Sequence, residues 1–507
     1  MKLTDSINRK LGAILSILNM GVSLVVGLVY TPICTHYLGQ SEYGLITFAS
    51  SLIGYLSILD MGFGSALIRY CNRLRERNED ESNLFGFFLI LFLVIALIAL
   101  VAGIGMYLNL ETVFSSGFSN EEIAILKPIF LLLLVNVVLS FPGGVFASII
   151  NSYEKFFFLR ACSILKSIFM HLTNIAVLFF GFRSVTVTAV TVAYSIIIYA
   201  INIYYCFNKL HIKFGFKRFE KEFYKDILSY SFFIFIGMIA SQLYDETDKV
   251  ILGKFAGSEA VAVYGVGVTF YMYFKMMALS VTNVFFPLIA KLSVKNDSIG
   301  QMSLLFNKIG RILTIALGFI LIGFVCFGKE FTILWVGADY LDSYWIALLI
   351  MGPALIPWAQ SLGTSILEAI NKHKVNSIMY FVVAILNVIL SIPLSIKYGG
   401  IGAAIGTAIG TILGRCIYLN YYYKVKVGID IETFWKEFIK IAIRFIPVYV
   451  IFSCSNLFII NISWFNLIIK IGISCILVIP YVYFVVLNQS EKNLFNSWVK
   501  RLTKVYI

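Results

Sequence analysis

The residues able to do chemistry in this 507-residue chain are ionisable side chains stranded inside long apolar runs. Asp60 and Arg69 stand nine residues apart in LDMGFGSALIRY, and Lys275 interrupts FYMYFKMMAL near the middle of its run. Lys166 lies seven residues into another run, about 10 Å deep at a helical rise of 1.5 Å per residue. Glu368, Arg415 and Arg444 fall nearer run ends, and Asp245, Glu246 and Asp248 cluster at one run's exit. A charge in hydrocarbon is expensive, so such residues face a partner or a wet interior and mark substrate, ion or proton paths. The blander reading is a buried ion pair or a side chain snorkelling to the interface. It weighs most for Arg69, Arg415, Arg444 and Glu368, and least for Lys275. For Asp248, capping an outer loop outweighs contact with cargo. The chain has no phosphate-cradling Gly-Lys-Ser/Thr loop, no paired histidines with metal spacing and no Gly-x-Ser-x-Gly elbow. No metal, cofactor or catalytic centre is therefore expected, and the eight scattered cysteines read as packing residues.

The elements that must position these charges are membrane spans. Hydrophobic residues make up 60% of the chain and charged ones 13%. Apolar runs cover roughly 11–34, 43–68, 84–108, 123–149, 159–181, 185–207, 226–248, 261–289, 309–328, 343–369, 376–396, 400–423, 438–460 and 467–487. A helix crossing the roughly 30 Å hydrocarbon core needs about 20 apolar residues, and each run meets that length. Barrel strands would read as shorter alternating segments, so the expected fold is an all-α polytopic membrane protein of about 14 spans.

The formal charge of +13 invites a nucleic-acid partner, but its distribution argues against one. With the N-terminus inside, alternate loops collect most of the 40 Lys and Arg residues. They include Arg73, Arg75 and Arg77, then Lys209, Lys213 and Lys217, Lys308 and Arg311, Lys424 and Lys426, and Lys500, Arg501 and Lys504. That bias places both termini in the cytoplasm and predicts contact with anionic lipid.

The basic loop 208–225 divides the chain into a six-span part (1–207) and an eight-span part, of which 226–423 would form a second six-span bundle and 424–507 an addition with a cytoplasmic tail. The two sixes carry a registered similarity. HYLGQSEYGLITF (36–48) aligns with GKFAGSEAVAVYGVGVTF (253–270), matching Gly39 to Gly257 and Tyr43-Gly44 to Tyr264-Gly265. GGVFASIINSYEK (143–155) aligns with LGTSILEAINKHK (362–374). An even number of spans per half makes the repeat parallel, a recurrent transporter design with substrate held between halves. Pro353 and Pro357, four apart in GPALIPWAQSLG, read as a bend in one span. Gly402, Gly406, Gly410 and Gly414 read as a close helix contact.

LDMGFGSALIRY and ETDKVILGKFAGSEAVAVYGVGV (246–268) resemble motifs of the bacterial polysaccharide (O-antigen type, Wzx-type) flippases, within the multidrug/oligosaccharidyl-lipid/polysaccharide exporter superfamily. The resemblance covers most of the chain. Asp60, Gly62 and Arg69 match the first motif, and Asp248, Gly253, Gly257 and Tyr264 the second. It implies two bundles enclosing a V-shaped cavity, and transport of an undecaprenyl-diphosphate-linked oligosaccharide across the bacterial cytoplasmic membrane. A polysaccharide polymerase and chain-length machinery would be its partners. Lys166, Lys275, Arg415 and Arg69 are then candidates for holding the diphosphate, and Asp60 and Glu368 for coupling. The alternatives are a multidrug or cation antiporter of the same superfamily, which favours acids over cations in its cavity, and a membrane polymerase or acyltransferase, which usually needs a longer outer loop or an embedded histidine.

Overall fold

The computed structural model describes residues 2–217, 221–293, 298–370, 372–458, 461–493 and 496–497, and every regular element among them is helical. The tail cations Lys500, Arg501 and Lys504 lie outside the described residues. The first part of the chain forms α1 (Lys2–Ser57), α2 (Phe63–Glu76), α3 (Ser82–Phe114), α4 (Asn120–Ser152), α5 (Phe156–Phe179), α6 (Ser184–Asn208) and α7 (Lys221–Phe255). The second forms α8 (Gly257–Leu292), α9 (Ser298–Val336), α10 (Asp342–Ala359), α11 (Ser361–Ala369), α12 (His373–Gly410), α13 (Leu419–Tyr422), α14 (Ile431–Arg444), α15 (Ile446–Phe458) and α16 (Trp464–Tyr481).

Twelve helical stretches among the described residues are long and apolar enough to cross a bilayer. Two of them, Leu18–Glu76 and Ile378–Val427, each contain a backbone break, at Gly39 (φ 74°, ψ 177°) and Gly399 (φ 57°, ψ −137°). Counting both sides of each break recovers the fourteen apolar runs. The breaks also carry the repeat. Gly39 and Gly257 both take positive φ, and so do Gly181 and Gly399, which stand 218 residues apart just as the first pair does. Positive φ is strained for any residue with a Cβ, so each glycine marks the same tight turn between successive spans in the two halves. The Gly181–Gly399 match rests on backbone geometry and is not visible in the side-chain pattern.

Two compact units divide the described chain: Met1–Gly265 with Tyr380–Gly406, and Val266–Met379 with Thr407–Ile507. The division falls inside α8 and α12 rather than at a loop. In the first unit, Cys34 and Leu38 of α1 pack on Leu178 of α5 and Val187 of α6. In the second, Phe327 of α9 is buried with Ile441, Phe445, Val448, Phe452, Leu467 and Val478, which docks α14, α15 and α16 onto α9. Lys470 of α16, fully buried, reinforces that dock through Glu330 of α9 at 2.6 Å. Taking an ammonium out of water costs several kcal/mol, and the facing carboxylate offsets that cost.

Candidate functional site

In the second unit, sequence alone determines a defect in α10. Pro357 has no N–H, so the carbonyl of Pro353, one turn earlier, loses its helical donor. The structure fills that gap from another helix: Cys416 Sγ donates to the Pro353 carbonyl at 3.6 Å. Cys416 belongs to a π-helical segment, Thr411–Tyr418, which continues α12. Such wide turns often accompany functional sites. Its neighbour Arg415, only 3% exposed, lays its guanidinium over the Trp358 ring at 4.8 Å. Lys275 of α8 approaches the same ring at 5.7 Å. A desolvated cation–π contact is worth about 2 kcal/mol, enough to hold a long basic side chain to one ring.

Just beyond Trp358 the span breaks at Gln360 (φ −92°, ψ 11°), and the chain resumes as α11. The Gln360 side chain exchanges two hydrogen bonds with Asn420 (2.8 and 3.0 Å), and Asn420 Oδ1 also accepts from Trp435 Nε1 at 3.1 Å. Deeper still, Gly363 lets the buried Tyr423 ring pass where a Cβ would collide with it. Thr282 of α8 meets Ser361 of α11 at 2.6 Å. Residue numbers rise together along these contacts (353 to 416, 360 to 420, 363 to 423), so α10–α11 and the end of α12 run parallel. Fourteen alternating spans require that direction. Within this packed polar seam, the Trp358 indole N–H is buried and has no hydrogen-bond acceptor among the described residues.

In the first unit the motif residues do something different. Asp248, 2% exposed, accepts from the Tyr264 hydroxyl at 2.5 Å, so two positions matched by motif form one buried bond. Ser51 donates to Glu246 at 2.7 Å, Tyr55 meets Thr247 at 2.7 Å, and Ser41 and Ser258 both donate to Glu122. Glycine allows the close approach: a Cβ on Gly44 would run into the Ser258 carbonyl, and one on Gly253 into the Phe48 ring. Gly62 takes φ 72° just after the 3-10 turn that holds Asp60, and Ile234 packs where its Cβ would be. The second motif, 246–268, therefore takes part in a hydrogen-bonded seam between α1, α4, α7 and α8.

The remaining candidates are scattered. Lys166 of α5 is half-buried and donates to Ser195 Oγ of α6 at 3.0 Å. Arg69 lies exposed on α2 and Glu368 exposed on α11. Of the candidate cations, Lys275 and Arg415 are the pair that meet on one ring. The sequence reading missed Trp358, Gln360, Cys416 and Asn420. A signal existed in Trp358, a tryptophan directly after a proline and inside an apolar run rather than at its interfacial end.

A model of the family described as polysaccharide biosynthesis protein matches residues 11–293, over half of the chain. A Shigella flexneri protein named as an O-antigen transporter is 24% identical over 358 residues, covering 66% of this chain and 80% of that one. Among solved structures, the lipid II flippase MurJ in an inward closed conformation superposes with a TM-score of 0.72 at 19% identity, covering 93% of this chain and 97% of that one. A transporter of the multidrug/oligosaccharidyl-lipid/polysaccharide superfamily from Pyrococcus furiosus, described as having a binding pocket of reversed polarity, gives a TM-score of 0.57 at 16% identity, covering 82% and 95%. At these identities the structural likeness establishes the fold.

Proposed function

Because this chain belongs to the polysaccharide biosynthesis protein family, we propose that it is a flippase carrying a lipid-linked oligosaccharide, with an undecaprenyl-diphosphate anchor, from the cytoplasmic to the outer leaflet. The observation that carries the reading is the meeting of Lys275 and Arg415 on Trp358. Two cations gathered at one aromatic ring suit a diphosphate next to a sugar: the charges oppose the phosphates, and the indole offers both a stacking face and an N–H donor.

Transport answers a physical problem. Each unpaired polar group of a glycan costs several kcal/mol in hydrocarbon, roughly 2–7 by transfer measurements. A polar passage removes that barrier while the polyprenyl tail stays in lipid. An anion leaving an inside-negative cell gains about 2.3 kcal/mol per charge per 100 mV, so the membrane potential alone would bias flipping outward. In this reading the protein changes no covalent bond. Both termini lie in the cytoplasm of a bacterial inner membrane, and the 1–207 and 226–423 bundles alternate access around the cargo. Asp60 and Glu368 are the positions from which a proton would couple. Electropositive character at the ring favours this cargo over the cationic drugs of an antiporter.

The test is reconstitution into liposomes with a fluorescent lipid-linked oligosaccharide and an impermeant quencher. Wild-type protein should expose the label to the opposite leaflet without altering its mass. Unchanged flipping by both Lys275→Gln and Arg415→Gln would sink the assignment of the site.

A further inference from the structure

We propose that a cavity of about 500 Å³ between the first half of α9, the second half of α14 and the segment 485–491 that follows α16 binds the phosphate groups of an anionic glycerophospholipid, favouring a headgroup with two negative charges. The cavity is lined by Lys308, Arg311, Lys440 and Arg444 against two acids, Glu437 and Glu491. Arg311 is already committed. Its Nε donates to Glu491 at 2.8 Å, one terminal nitrogen to Glu437, and the other to the Val486 carbonyl at 2.7 Å. The second oxygen of Glu491 accepts the Asn488 amide at 2.8 Å, and that of Glu437 faces Lys440 at 3.6 Å. Arg311 and Lys440 thus neutralise both carboxylates. Lys308 and Arg444 have no carboxylate within ion-pair distance among the described residues, which leaves two surplus positive charges in one fixed cavity.

A second observation narrows the ligand. Asn307 donates its amide to the Asp430 carbonyl at 3.0 Å, and its own Oδ1 is buried without a donor. A glycerol hydroxyl would supply one, as in phosphatidylglycerol or the central glycerol of cardiolipin. Phosphate alone would not. Beside the cavity, Ile439, Ile443 and Ile446 are each more than half exposed along one face of α14 and the start of α15, a track for acyl chains. The Lys/Arg bias assigns this region to the cytoplasmic leaflet, where basic pockets between spans hold acidic headgroups. The site is separate from the Trp358 cluster and does not depend on which cargo is carried.

The experiment titrates purified full-length protein in zwitterionic detergent with cardiolipin, phosphatidylglycerol, phosphatidylcholine or sodium pyrophosphate, reading apparent affinity from native mass spectra and thermal unfolding. Cardiolipin should bind tightest, phosphatidylglycerol next, and phosphatidylcholine and pyrophosphate weakly. Lys308→Gln, an exposed position that leaves folding unchanged, should weaken cardiolipin about fivefold, and adding Arg444→Gln should bring the loss to roughly 25-fold, in line with about fivefold per cation near a lipid surface. Lys308→Arg should retain affinity. Equal binding of phosphatidylcholine, full cardiolipin affinity in Lys308→Gln, or pyrophosphate binding as tight as the lipid would overturn the proposal.

Discussion

The two units hold their embedded charges in opposite ways. In the first, Glu122 and Asp248 are met by serine and tyrosine hydroxyls from facing helices, Glu246 by Ser51 across the seam and by Lys249 on its own helix, and glycines bring the backbones close enough for the short donors to reach. In the second, Lys275 and Arg415 lie on an aromatic ring beside a proline-broken span and a π-helical segment. A carboxylate stitched to hydroxyls at close helix contacts is a structural fastening. Cations laid on a ring at a broken helix stand where an arriving anion could draw them off, because a charge–charge contact outcompetes a cation–π one. Under the proposed function, Asp248 and Tyr264 would hold the fold, and Lys275 and Arg415 would meet the cargo.

The largest effect expected from that contrast is on transport. Lys275→Gln or Arg415→Gln should lower flipping about 100-fold, equivalent to roughly 3 kcal/mol of charge-assisted binding, and transport measured per folded molecule should show that loss apart from the stability lost with the cation–π contact. Lys166→Gln, which removes a cation already bonded to Ser195, should cost about tenfold in the same assay, a loss of roughly 1.4 kcal/mol. Equal losses at all three positions would erase the distinction between the units. Changes in the first unit should do the reverse. Gly44→Ala must push the Ser258 backbone aside, so unfolding in detergent should show about 1–3 kcal/mol of destabilisation. Tyr264→Phe withdraws a donor from buried Asp248 and should cost a similar 1–3 kcal/mol. Transport per folded molecule should survive both.

The smallest effect is a cap. Asp430 accepts from the Thr433 amide at 3.0 Å, and that bonding holds its carboxyl below the usual range. A depressed folded value means its contribution is present above the unfolded value of roughly 4 and fades as pH falls through the folded one. Asp430→Ala should cost about 1 kcal/mol at neutral pH and progressively less in acid. An undiminished penalty in acid would show that packing, not the carboxylate, matters at that position.

Much of the fold was legible because hydrocarbon imposes a length. Fourteen apolar runs and the Gly39–Gly257 register both follow from local composition. The site was half legible. Lys275 and Arg415 stand out singly because a charge in an apolar run is costly wherever the helix turns. Nothing local says that they share a ring, since 140 residues separate them and which faces meet depends on how α8, α10 and α12 pack. The role of Cys416 was hidden for the same reason. Pro357 guarantees an orphaned carbonyl at Pro353, but only the neighbouring helix decides which donor fills it.

The sequence by itself determined the number of spans and the list of charges that must find company in the membrane, because burial in lipid penalises each residue independently of its neighbours. Tertiary structure alone decided the pairings: Asp248 and Glu122 with hydroxyls in one unit, and in the other Lys275 and Arg415 with Trp358 and Lys470 with Glu330. Side-chain contacts reach only a few ångströms, and helix packing sets which residues come within that reach.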